Sequence, residues 1–197
     1  MIFNIRGTSG SGKTTLVKDV IGWLTAEGAV LHEHFHPGRK QPLWFQLTRR
    51  NGEVWSFIGH YNAACGGCDT INSMDWVFEL VKERHFASDH LVFEGLIVCS
   101  DARRIIELAK EHRGQLKVIN LKTDKEVCLE GIRARRTARG VDPNAPFKES
   151  VERNVKAKMR TCEKTAERIE AEAPGTVKHM TRDEARDYLY QYVRWTP

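Results

Sequence analysis

Gly7-Thr8-Ser9-Gly10-Ser11-Gly12-Lys13-Thr14 is the stretch on which the fold turns. Its spacing is G-x-x-x-x-G-K-T, and both flanks suit a phosphate-binding loop. Met1 to Arg6 before it is a short apolar run (Ile2, Phe3, Ile5) of strand type. Thr14 to Ala26 after it carries Leu16, Val17, Val20, Ile21 and Leu24 at helical spacing. Strand, glycine turn and helix together give the pattern its physical meaning. Glycine permits the torsions that turn consecutive N–H groups inward around phosphates, and the helix adds the positive end of its dipole. Lys13 is expected to reach the transferred phosphate, and the Thr14 hydroxyl to ligate Mg²⁺. The candidate nucleotide-binding set is Gly7 through Thr14 together with Thr15, and the expected ligand is a nucleotide triphosphate.

The composition sets bounds around that loop. A chain of 197 residues fits one α/β domain, 1–197, with a core of its own. No apolar run approaches the roughly 20 residues of a membrane helix. The N-terminus enters strand and loop directly, which reads as no leader peptide. Five cysteines at irregular spacing argue against a disulfide framework and for a reducing compartment, the cytoplasm, or a host's if the protein is viral. A net charge of +5 and a pI near 9.0 suit a polyanion, whether ATP or nucleic acid.

Outward from the loop, strand and helix patterns alternate. Ala29 to Phe35 reads as the second strand. Leu43–Thr48 and Val54–Ile58 flank Arg49-Arg50-Asn51-Gly52-Glu53, a hairpin signal. It is expected as an insertion (about 40–60) that covers or reads the substrate. A helix is expected from Asp69 or Thr70 to about Glu83, and a buried strand over His90–Val98. Ala102–Glu111 reads as helix and Leu116–Leu121 as strand. Thr123 and Glu126 look like a capping box for a Val127–Arg139 helix. A Gly/Pro loop then leads to a long helix with Phe147, Val151, Val155, Met159, Cys162, Ala166 and Ile169 on one stripe. Thr176–Met180 and a capped final helix end the chain. The expected fold is α/β, a five-stranded parallel sheet sandwiched by helices, with a hairpin insertion and an arginine-rich lid (about 133–147).

The chemistry-bearing residues cluster around this frame. Glu94 interrupts a greasy strand, where a carboxylate costs several kcal/mol unless a cation compensates it. Mg²⁺ and Lys13 are the natural compensators, and a structural arginine is the alternative. Asp69 follows a Gly66-Gly67-Cys68 turn and is the candidate base for a hydroxyl acceptor, with helix capping as its plainer role. His60, Tyr61 and Trp44 are candidate acceptor contacts. Cys65 and Cys68 make one C-x-x-C pair, readable as half a zinc site with nearby histidines, as a redox couple, or as packing in a tight turn. Arg133, Arg135, Arg136 and Arg139 crowd one arc of a helix. They are expected to meet nucleotide and the equatorial oxygens of the transferred phosphate, rather than only water.

Together these pieces resemble the phosphate-loop kinases of nucleosides and nucleotides. Phe93-Glu94-Gly95 resembles their acidic strand, and Arg135 to Gly140 resembles a kinase lid. Gly59-His60-Tyr61 with Cys65-Gly66-Gly67-Cys68-Asp69-Thr70-Ile71 is similar to a bacteriophage group that includes 5-hydroxymethyluracil DNA kinases. The likeness extends over nearly the whole chain. It implies ATP as donor, Mg²⁺ as metal, and the hydroxymethyl oxygen of a base in DNA as acceptor. It also implies that hairpin aromatics (Trp44, Phe45, Trp55, Phe57) stack an extruded base. Free nucleosides or nucleoside monophosphates are the rival acceptors. A GTPase is disfavoured: Asn-Lys-x-Asp is absent, and the D-x-x-G at Asp19–Gly22 falls inside the first helix. A DNA-stimulated ATPase is disfavoured because Gly95, not a second acid, follows Glu94.

Overall fold

A computed structural model describes residues 1–63 and 65–194. Seven strands form one sheet: β1 (Ile2–Arg6), β2 (Val30–His34), β3 (Trp44–Thr48), β4 (Val54–Ile58), β5 (His90–Glu94), β6 (Leu116–Leu121) and β7 (Val177–Met180). Their order is β2-β3-β4-β5-β1-β6-β7. From β4 to β7 every pairing is parallel, while β3 is antiparallel to both neighbours.

The sheet therefore has seven strands, not five. The expected hairpin does form, but it is not a cover laid outside the sheet. It inserts between β2 and β5, with β4 taking the place beside β5 and β2 displaced to the edge. The reason lies in its side chains. Phe45, Leu47, Trp55 and Phe57 belong to the core, and Trp55 and Phe57 are wholly enclosed. Burying that much aromatic surface outweighs leaving it exposed for a ligand. Stacking of a base on Trp55 or Phe57 is thereby closed off.

Six helices cover the two faces: α1 (Lys13–Ala26), α2 (Met74–Phe86), α3 (Ala102–Glu111), α4 (Lys125–Thr137), α5 (Glu149–Glu172) and α6 (Arg182–Arg194). Period-two alternation divides the core. Ile2, Leu91, Phe93, Leu116 and Val118 face one side with α2, α3 and α5 residues. Phe3, Ile5, Val92, Ile119 and Leu121 face the other with α1 and α6.

Several boundaries differ from the periodicity. The strand expected over His90–Val98 stops at Glu94, because the chain turns at Gly95 and then forms a short 3₁₀ turn, Val98–Ser100. Asp69 lies in another 3₁₀ turn, Cys68–Thr70, while α2 starts later with the Ser73 hydroxyl accepting from Trp76 N–H. The Thr123/Glu126 box does not form: Asp124 is the cap position, and the Thr123 hydroxyl is buried without a partner. The box at the last helix does form. Thr181 Oγ1 accepts from Glu184 N–H at 3.2 Å, and Glu184 Oε2 accepts from Thr181 N–H at 2.8 Å. Among the described residues, no helix is long and apolar enough to cross a membrane.

Candidate active site

The site lies at the carboxyl ends of β1 and β5, where open α/β sheets collect ligands. Register brings the two strands together there, with Ile5 opposite Glu94. Beyond β1 the chain turns through Gly10 (φ 81°) and Gly12 (φ 88°), torsions that a side chain would strain, and runs into α1. Gly10 carries a second demand. A Cβ there would lie 2.0 Å from the Cys128 carbonyl oxygen of α4. Gly131, one turn further along α4, also packs on Gly10: a Cβ there would lie 2.6 Å from the Gly10 carbonyl oxygen. The loop is thus clamped against α4, which brings Arg135 beside Gly12, Lys13 and Thr14 around a cavity of about 220 Å³.

Lys13 is buried and folds over its own loop. Its ammonium donates to the Gly7 carbonyl at 2.9 Å and the Thr8 carbonyl at 3.1 Å. The Thr14 hydroxyl donates to Glu94 Oε1 at 2.8 Å. Glu94 is 1% exposed, and burial pushes its carboxyl up to about 7. The Lys13 ammonium and the Thr14 hydroxyl pull the other way, and Asp69 adds to the rise. Among the described residues, no arginine pairs with it in the way the structural alternative required. A buried carboxylate beside a hydroxyl, short of compensating charge, has the donor chemistry of a hard divalent cation.

Asp69 is exposed, yet both of its oxygens are engaged. Oδ2 accepts from Leu96 N–H at 2.8 Å and Oδ1 from Ile97 N–H at 3.1 Å. It thereby fixes the turn that leaves Glu94. The opposing loop closes on itself, Gly67 N–H donating to the His60 carbonyl at 3.0 Å. Gly67 rests so near Glu94 that a Cβ would meet its Oε1 at 2.5 Å. One glycine thus seats the Gly66–Asp69 turn on the acidic strand.

His60 is buried, and burial, with Arg39 and Lys18 nearby, holds its imidazole below the usual value and hence neutral at pH 7. Tyr61 turns inward: its hydroxyl donates to the Ile58 carbonyl at 3.1 Å and its ring meets Phe45 edge-on. Trp44 is half-buried and stacks on His34 at 4.5 Å, with the Arg84 guanidinium 4.7 Å from its ring. The Tyr61 hydroxyl is thus engaged within the protein, while the Trp44 indole N–H is buried without a partner.

The arginines divide into two groups. Arg135 and Arg139 converge on Cys65, at 3.5 and 3.2 Å from its sulfur. Arg133 donates to the Pro143 carbonyl, and Arg133 and Arg136 both lie over the Phe147 ring, which pins the segment after α4. Cys68 is buried while Cys65 is half-exposed. Among the described residues, no group of three or more His, Cys, Asp or Glu converges to hold a metal ion.

No protein-family model matches the chain. A protein of Pseudomonas phage PaMx11 named 5-hmdU DNA kinase is 39% identical to it over 163 residues, 83% of this chain and 84% of that protein. The chain belongs to the 5-hmdU DNA kinase family. The likeness drawn from the two glycine-rich stretches thus holds, and membership of the 5-hmdU DNA kinase family makes the chain an ATP-dependent phosphotransferase.

Some residues of this kinase site were not anticipated. Gly131 sits inside a helical run, and a glycine there was a legible sign of close backbone approach. Lys18 donates to the Ala63 carbonyl at 2.7 Å, tying the segment before Cys65 to α1. Ser11 Oγ, Thr123 Oγ1 and Asn120 Oδ1 are buried without partners around a second cavity of about 430 Å³. Asn120 and Thr123 come from the end of β6 and Ser11 from the loop after β1, so no local pattern brings all three together.

Proposed function

We propose that this chain transfers the γ-phosphate of ATP to the hydroxymethyl oxygen of 5-hydroxymethyluracil in DNA, a step in thymine hypermodification in a phage-infected cell. The observation that carries the reading is the joint placement of Lys13, Thr14, Glu94 and Asp69 around one loop. The relative's name supports the acceptor.

In this reading the backbone of Gly7–Thr14, with Thr15 behind it, cradles the triphosphate. Lys13 exchanges its two carbonyl partners for phosphate oxygens, a stronger charge-assisted contact. Thr14 and Glu94 would hold Mg²⁺, which when bound neutralises charge on the β- and γ-phosphates. Arg135, Arg136 and Arg139 serve the equatorial oxygens, and Arg133 anchors the segment 133–147 as a lid. The acceptor oxygen attacks phosphorus as the bond to the β–γ bridging oxygen breaks, and ADP leaves. Asp69 orients the alcohol and takes its proton. The basic charge of the chain suits a DNA backbone.

Incubating the protein with γ-labelled ATP, magnesium, and either hydroxymethyluracil-containing duplex or free hydroxymethyldeoxyuridine and its monophosphate tests this. Label is expected in the duplex. Label confined to the free pool overturns the DNA acceptor, and ATP turnover without any phosphorylated product overturns the kinase.

A further inference from the structure

With Trp55 and Phe57 sealed in the core, an extruded base needs other walls. A cavity of about 570 Å³ lies between α4, α5 and the turn after Glu94. That volume is in the range of small-ligand sites, roughly 300–1,000 Å³. Thr8 and Ser9 of the phosphate loop line one end. Leu96, whose N–H donates to Asp69, lines another side, so the space runs from the donor loop toward the candidate base.

The α5 wall has a composition that core packing does not explain. Val151, Asn154, Val155 and Lys158 fall at i, i+3, i+4 and i+7, one face of the helix, and all four line the cavity. The two valines continue the apolar stripe, while Asn154 and Lys158 interrupt it. Asn154 is exposed, so burial did not select it. A carboxamide offers one acceptor and two donors, the set that pairs bidentately with an N–H next to a carbonyl. The Watson–Crick edge of uracil presents that pair, N3–H beside O4. Arg136 and Arg139, which the proposed function sets on the transferred phosphate, also line this cavity, so a base seated in it lies beside the transfer site. A separate polar cavity, with the unpartnered Ser11, Asn120 and Thr123 atoms, leaves room elsewhere for the donor's own base.

We infer that the cavity between α4 and α5 receives the target base, Asn154 reading its edge and Val151 and Val155 walling its ring. The inference rests on the function proposed above, and it makes Asn154 a specificity-determining residue.

Two variants test it, Val151→Trp, which fills the cavity, and Asn154→Ala, which removes the carboxamide from an exposed position. Each is checked by thermal melting, by calorimetric titration with MgATP, and by kcat and KM for duplex carrying one hydroxymethyluracil or one hydroxymethylcytosine. Val151→Trp is expected to lose DNA phosphorylation by roughly 100-fold while its ATP affinity stays within about twofold. Asn154→Ala is expected to raise KM for hydroxymethyluracil duplex by roughly tenfold, leave kcat nearly unmoved, and narrow the preference over hydroxymethylcytosine. Normal DNA kinetics in both variants overturns the assignment, as does loss of MgATP binding in Val151→Trp, which would make the cavity part of the donor site. A wild type that phosphorylates free nucleosides but not DNA refutes the proposed acceptor alone, because the variants' KM for the nucleoside still reports on the cavity. A wild type without any acceptor overturns both.

Discussion

Glu94→Gln separates the charge of the acidic strand from its shape. Burial lifts the Glu94 carboxyl from an ordinary 4.5 to about 7, net of the opposing pull of Lys13 and Thr14. Between those values the native protein keeps a proton that the unfolded chain releases. Stability must therefore fall as pH rises through this window, and the penalty is complete above about pH 7. At about 1.4 kcal/mol per pH unit, the gap is worth about 3 kcal/mol. Glutamine keeps an acceptor for the Thr14 hydroxyl and carries no charge. Urea denaturation in chelator, from about pH 5 to pH 9, should find the two proteins alike at the acid end. At the alkaline end the variant should be more stable by up to about 3 kcal/mol, or roughly 6–12 °C in Tm for a chain of this size. MgATP should reverse the order, stabilising wild type more, and the variant should transfer no phosphate. The same pH slope in both proteins would refute the reasoning, since the titration would then belong elsewhere.

Lys13→Ala should leave far-UV circular dichroism intact and cut transfer by at least about 10³-fold, because its ammonium touches only loop carbonyls that water can satisfy. Asp69→Asn should lower kcat by roughly 10² to 10⁴. A change in KM alone would mean that it only fixes the Leu96–Ile97 turn. Gly131→Ala places a Cβ 2.6 Å from the Gly10 carbonyl, so α4 must back away; a loss of about 1–3 kcal/mol in stability and weaker MgATP binding are expected by melting and calorimetry. Cys65→Ala should keep the rate within about fivefold, since a thiol is a weak partner for a guanidinium, whereas Arg135→Ala should cost about 10²-fold or more in single-turnover assays.

The donor half of the site was legible because its signals are local. A phosphate loop is contiguous, its glycines answer to torsion, and a carboxylate in the middle of an apolar strand announces itself. The acceptor half was not. Asn-Gly between two aromatic runs told correctly of a hairpin, but a turn signal carries no information about which face of the chain meets the sheet. Alternation in Trp55 and Phe57 was equally compatible with a ligand wall and with a core. Their burial was decided by what α1 and α6 present across the sheet, a matter of tertiary packing. Asp69 was legible as a carboxylate at a turn, yet its partners Leu96 and Ile97 lie 27 and 28 residues away and contribute only backbone. Backbone donors leave no trace in side-chain identity.

The Cys65 contact joins the two halves. Arg135 and Arg139 sit on one sulfur, and the same loop is held by Lys18 from α1 and, through Asn62 at 2.9 Å, by Glu33 of β2. A guanidinium loses little by leaving a thiol and gains a charge-assisted pair on reaching a phosphate oxygen. Lys13 stands in the same position, donating to neutral carbonyls until a stronger acceptor arrives. The cations of this site are therefore parked on weak partners rather than paired with carboxylates, which would have to be displaced at greater cost. Such parking keeps the proposed phosphate cations, Arg135 beside Lys13 in one cavity and beside Arg139 in another, ready for a polyanion. It also accounts for Glu94 bonding to Thr14 instead of to an arginine: a salt bridge there would take both the proposed metal ligand and the proposed phosphate cation out of use.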